Sequence, residues 1–168
     1  MSHDKDATMP IRAITLTVSH LVALVVGIAL GIYLLPILSQ PAPAPESTLE
    51  GLRTQAEYQG EFRRDLEDSD LLHWGEGTLY LSDRGITLEG ELAPGPAYRL
   101  YLSPSFIETE EAFLENRHTM VDVGGISVFR NFMLTLPEGV ALDQYTTAIV
   151  WCESFDQFIS AAQYRPGS

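Results

Sequence analysis

The chain has 168 residues, room for one domain of ordinary size plus accessories, and a formal net charge of −13. Asp4 and Asp6 offset Lys5 and Arg12, so the whole charge falls on residues 46–168, where no lysine occurs. Such an acidic surface repels phosphate backbones and excludes nucleic acid as a partner, and the single cysteine, Cys152, excludes an intrachain disulfide framework, cysteine-rich zinc sites and a CxxC redox motif.

Residues 1–12 are polar and read as a short cytoplasmic tail. The stretch 13–38, AITLTVSHLVALVVGIALGIYLLPIL, carries no charge apart from a His20 that can stay neutral, and exceeds the roughly 20 residues that cross a hydrocarbon core. It is expected to be a transmembrane helix. Lys5 and Arg12 lie on its N-terminal flank and the next base is Arg53, so the charge bias places the N-terminus in the cytoplasm and the large C-terminal part in the periplasm or outside the cell. The expected residence is a cell inner membrane, crossed once. A cleaved signal peptide is the rival, but the apolar core is long for one and no small-x-small site follows it. Ala23, Gly27 and Gly31 lie four apart on one face, a pattern that permits close helix pairing and hence a homodimer.

Residues 39–57 form a Pro/Ala-rich linker and lead-in. Pro41, Pro43 and Pro45 make an extended spacer, and Leu49–Glu57 has some helical tendency. From Tyr58 to the end the pattern is short strands divided by turns. Gly60–Phe62 opens a strand, and Leu72–Leu81 reads as a strand interrupted by Gly75 and Gly77. Asp83-Arg84-Gly85 is a turn, and Ile86–Glu89 alternates as a half-buried strand. Pro94-Gly95-Pro96 marks a turn before an alternating strand at Tyr98–Leu102. Glu108–Glu115 is a helical turn or acidic loop, and Phe129–Leu136 is a strand that stops at Pro137. Thr146–Trp151 is apolar on both alternating faces, as in a central strand buried on each side. The fold class expected is all-β, an antiparallel β-sandwich or barrel-like domain over residues 58–168, preceded by the one transmembrane helix.

Enzyme signatures do not occur: there is no Gly-x-Ser-x-Gly elbow, P-loop, HExxH or Rossmann glycine pattern. No sequence feature pairs two acids for catalysis. His73, His118, Cys152, Met120 and Met133 include the ligand types of a blue-copper centre. Such a centre takes Cys, His and Met from one short loop, and no His or Met follows Cys152. Cys152 falls where an apolar run meets Glu153 and Ser154, near a strand end from which a thiol could reach a ligand or solvent. Against that stands its reading as a small buried hydrophobe. Thiolate chemistry needs nearby positive charge, and Glu153 works against it. A haem iron held by Cys152, with His73 or a Met as second ligand, is chemically allowed and would be non-covalent, since CxxCH is absent. His73 sits in His-Trp-Gly-Glu-Gly, where glycines allow close backbone approach, although a surface histidine beside a turn is the plainer reading. Trp74 and Trp151 read as core or rim aromatics.

The order Gly60-x-Phe62, His73-x-Gly75-x-Gly77, Leu88-x-Gly90, Pro94-Gly95-Pro96 and Leu100-Tyr101-Leu102-Ser103 resembles the DM13 domain family. The similarity continues through Val123-Gly124, Leu136-Pro137, Tyr145 and Ile149-Val150-Trp151-Cys152-x-x-Phe155, covering about residues 58–164. The resemblance implies an all-β extracytoplasmic domain with one characteristic cysteine, matched here by Cys152. It also implies a part in electron transfer through a bare thiol or a bound group such as haem, with a protein redox partner. The rival is a non-enzymatic adhesion or assembly module in which Cys152 only packs the core. The chain departs from the family pattern at Ala97, where Asp commonly follows the Gly-Pro pair, and at Glu91-Leu92, which replaces an aromatic-bearing step.

Overall fold

The computed structural model of the chain describes residues 8–167. Its first element, helix α1, runs over Thr8–Ser39. The portion Pro10–Ser39 has a mean hydropathy of 2.7 in its most apolar window and is long and apolar enough to cross a membrane. At 1.5 Å per residue its 30 residues reach about 45 Å, against a hydrocarbon core of about 30 Å. A short amphipathic helix, α2 (Glu46–Thr54), follows and buries Leu49.

The remaining elements in chain order are β1 (Tyr58–Phe62), β2 (Gly75–Ser82), β3 (Gly85–Leu92), β4 (Tyr98–Ser103), α3 (Glu110–Asn116), β5 (Val121–Ile126), β6 (Met133–Thr135), β7 (Thr147–Cys152) and β8 (Gln157–Gln163). They form two four-stranded sheets, ordered β1-β2-β3-β6 and β5-β4-β7-β8. Every pairing is antiparallel. The sandwich expected from the sequence is the fold observed. Leu79, Leu81, Ile86 and Leu88 from the first sheet meet Leu100, Leu102, Val150 and Ile159 from the second in the inter-sheet core. Gly60 of β1 lets the two sheets approach at one edge, because a Cβ there would lie 3.0 Å from the Gln163 carbonyl oxygen.

The second sheet is covered on its outer face as well. Tyr101, Ile149, Trp151 and Phe158 pack there with Leu66, Ile107 and Phe113 of α3. Thr109 caps α3 by accepting a hydrogen bond from the Ala112 amide. Two layers of cover explain why β7 is buried at every position and why its sequence is apolar on both faces.

Three expectations about the strands are corrected. Leu72–Trp74 is a loop, not the start of β2, because the Asp70 carboxylate accepts the Leu72 and His73 amides at 2.6 and 2.8 Å and so removes them from any ladder. The strand expected at Phe129–Leu136 shrinks to β6, because Asn131 adopts φ 53° and its side chain accepts from the Gly90 amide. Ile86–Glu89 is more deeply buried than its alternation implies: Thr87, on the face opposite Ile86 and Leu88, is buried too and donates to the Phe132 carbonyl at 3.0 Å.

Gly77 and Gly90 face each other across β2 and β3, both at positive φ. A Cβ on Gly90 would stand 2.2 Å from the Glu76 carbonyl oxygen, a clash with backbone that no rotamer relieves. Gly90→Ala is expected to cost at least about 3 kcal/mol, read as a fall in the denaturation midpoint. A loss within experimental scatter would show that the β2–β3 crossing is not constrained as described.

Candidate functional site

Along β7 the side chains alternate between the two cores. Ala148, Val150 and Cys152 face the inter-sheet core, while Ile149 and Trp151 face α3. Trp151 stacks on Phe113 with ring centroids 3.9 Å apart and planes 9° from parallel. The next residue, Glu153, is held from outside: Arg117 donates to both carboxylate oxygens at 2.8 Å, and the Tyr101 hydroxyl donates to one of them. Burial opposes the charge on Glu153, but the hydrogen bonds from Tyr101 and Arg117 and the positive charges nearby outweigh it. They hold the carboxyl below its ordinary range. The same hydrogen bond, after burial, pushes Tyr101 up to about 12. Glu153 thereby fixes the end of β7 and aims Cys152 inward.

Cys152 is 2 % exposed. It lies opposite Tyr98 on β4, and its thiol donates to the Pro96 carbonyl at 3.1 Å. Burial raises its pKa. The Ser154 and Phe155 amides pull the other way, and the negative charges of Glu153 and Asp156 add to the rise. The thiol is therefore protonated at neutral pH and is a weak nucleophile in this arrangement.

His73, 79 residues away in sequence, reaches the same place. Cys152 and His73 both line a cavity of about 150 Å³, together with Tyr98, Phe155, the Pro94–Pro96 turn, and Ala29, Ile32 and Tyr33 of α1. The His73 Nδ1 is 2.9 Å from an Asp70 carboxylate oxygen, the kind of partner that fixes a histidine's tautomer and ring orientation. The two sequence-derived candidates are thus brought to one cavity, which α1 also lines. The other potential copper ligands are not gathered there. Met133 is exposed on β6, Met120 packs beside the α3 core, and among the described residues no three His, Cys, Asp or Glu side chains are placed to hold a metal ion.

The cavity also tests the haem expectation. Ligand pockets usually span about 300–1,000 Å³, and a macrocycle does not fit about 150 Å³. A larger groove of about 540 Å³ lies along Leu35, Pro36, Arg99 and Ile126, but neither Cys152 nor His73 lines it. As built, these residues do not fit haem.

A family model described as Electron transfer DM13 matches residues 65–164. The chain belongs to the DM13 family. Comparisons with curated proteins and with solved structures gave no match. The matched DM13 region begins after β1, although β1 pairs with β2 throughout its length. Its Gly-Pro block and its cysteine meet physically, for Pro96 supplies the acceptor for the Cys152 thiol. Gly95 leaves room for Tyr98, whose hydroxyl oxygen would stand 2.3 Å from a Cβ there. Ala97 has φ 52°, the left-handed region that Asp and Asn tolerate better than Ala. An Asp at this position would suit that backbone better, and Ala97 itself does not line the Cys152 cavity. Sequence reasoning missed Tyr98, the Pro96 carbonyl and Tyr33. Only the family-like Pro94-Gly95-Pro96 spacing pointed toward them.

A carboxyl depressed in the folded state adds stability above its unfolded pKa and loses it as pH falls through the folded value. Glu153→Gln is therefore expected to lower the Tm of the full chain at neutral pH, with the gap from wild type narrowing below about pH 4. A gap independent of pH would remove the ionised Glu153 from this account.

Proposed function

We propose that this DM13 chain is a membrane-anchored, extracytoplasmic electron-transfer module whose working group is the Cys152 thiol, with His73 beside it. The observation that carries the reading is that Cys152 and His73 line one cavity at the junction with the anchor helix. The charge bias around α1 supports a cytoplasmic N-terminus and a periplasmic or extracellular domain, over boundaries of 1–12, 13–38, 39–57 and 58–168 for tail, span, linker and domain. Bare-thiol chemistry is preferred to haem ligation because the cavity is too small for the macrocycle.

The simplest balanced step is exchange with a disulfide on a protein partner. Cys152 gives its proton to a base, and its sulfur attacks one sulfur of the partner. The partner's S–S bond breaks as the mixed disulfide forms, and the departing thiolate takes up a proton. The fold keeps this step slow until the cavity opens, since the thiol is buried and its pKa raised. The same two facts favour a second reading, an adhesion or assembly module with Cys152 as core packing. A homodimer through Ala23, Gly27 and Gly31 is compatible with either, as among the described residues, the helix's own nearby backbone aside, nothing lies within 4 Å of a Cβ built on Gly27 or Gly31.

The test is the visible spectrum of the lipid-reconstituted full chain, with titration of Cys152 by an aromatic disulfide before and after denaturation. The proposal expects no Soret band and a slow but measurable reaction of the folded protein, accelerating above the ordinary thiol pKa and absent in Cys152→Ala. A thiol inert until unfolding would leave the packing reading. A Soret band lost in Cys152→Ala would replace the bare thiol by a haem ligand.

A further inference from the structure

Outside α1, the large hydrophobic side chains that are exposed among the described residues are Leu71, Leu72, Phe106, Leu114, Met133 and Phe155. Three of these six belong to two loops at one end of the sandwich. Leu71 is 94 % exposed and Leu72 65 %, in the turn closed by Asp70; Phe155 is 57 % exposed, in the β7–β8 turn. Leu72 and Phe155 line the Cys152 cavity beside Ala29, Ile32 and Tyr33 of α1.

Sharing one cavity with these α1 residues sets the level of the loops along the helix. The uncharged stretch of α1 continues to Leu38. At 1.5 Å per residue, Tyr33 lies about 7–8 Å and Ala29 about 13–14 Å below its outer end. Loops that line a cavity with these positions sit at the depth of the headgroups or just beneath, not in bulk water. Apolar tips at that depth fit a bilayer surface, and an aromatic residue such as Tyr33 is favoured there.

We infer that the loops carrying Leu71, Leu72 and Phe155 form a second membrane contact, dipping into the outer face of the bilayer that α1 spans. The inference rests on the anchoring reading of α1. The acids near the tips select the kind of surface. Asp70 is bonded to the Leu72 and His73 amides and to the His73 ring, and Glu153 to Arg117 and Tyr101. Asp156 adds a further negative charge in the Phe155 turn. No lysine or arginine lies in either loop, Leu71–Trp74 or Glu153–Asp156. The contact is therefore apolar insertion among zwitterionic headgroups, and anionic lipid weakens it. The arrangement holds the domain upright on its anchor and turns the mouth of the Cys152 cavity toward the headgroups.

The experiment uses the full chain in phosphatidylcholine nanodiscs, with Cys152→Ala as background and one nitroxide label per sample. Labels are placed through Leu71→Cys, Phe155→Cys, Val22→Cys in mid-helix, and Glu138→Cys in the exposed turn beyond β6. Accessibility to oxygen, which partitions into lipid, is compared with accessibility to a water-soluble nickel chelate. The expected result is oxygen preference at positions 22, 71 and 155 and nickel preference at 138. The preference at 71 and 155 should shrink when phosphatidylglycerol replaces half of the lipid. Nickel preference at 71 and 155 with oxygen preference at 22 would overturn this inference and leave the anchor intact. Nickel preference at 22 would overturn the anchor reading itself. Protection of 71 and 155 from both reagents would mean that protein, not lipid, covers the loops, and would also overturn the inference. Leu71 and Phe155 are exposed, so their replacement leaves the core in place, and agreement between the two positions guards against a local disturbance at either.

Discussion

The structure depends on one constraint, the burial of β7 on both faces. A strand flanked by β4 and β8 and covered by the first sheet on one side and α3 on the other has no polar face to spare. Its even-numbered side chains are therefore committed to the inter-sheet core and its odd-numbered ones to the aromatic layer around Phe113. Cys152 is the last inward position before the chain turns. The Glu153–Arg117–Tyr101 network clamps the following residue from outside, and the Pro96 carbonyl receives the thiol inside. Slippage by one residue would send Cys152 to the wrong core and bury Glu153, so register and site are a single requirement.

Much of this was legible in the residues. The β-branched and aromatic run ending at Trp151 announces a doubly covered strand, and an uncharged stretch longer than 20 residues announces a helix of membrane length. What was not legible came from side chains overriding backbone pattern. The Asp70 carboxylate turns Leu72–Trp74 into a loop although its sequence looks strand-like. Asn131, at positive φ with its amide oxygen on Gly90, cuts β6 to three residues. The Gly-Pro block reads only as a turn, since no local rule states that its carbonyl will face a thiol 56 residues later. The meeting of His73 with Cys152 is equally non-local.

The family label of electron transfer and the geometry pull in different directions at the cysteine. A buried, protonated thiol with a hydrogen-bond acceptor is chemically quiet. Yet it lies against a cavity, next to a histidine oriented by a carboxylate, and the wall of that cavity on one side is helix α1. Both facts are reconciled if access to Cys152 is controlled at α1, whose residues Ala29, Ile32 and Tyr33 form part of the cavity wall.

The central claim is that the helix forms part of the wall around Cys152. It is tested most directly by replacing Tyr33 with a benzophenone amino acid in the full chain, irradiating native membranes and mapping the cross-links by mass spectrometry. The account predicts intramolecular adducts on the Leu72–His73, Pro94–Tyr98 and Phe155–Ile159 segments. Adducts confined to lipid or to other proteins would contradict it, because the helix would then not stand over the cysteine.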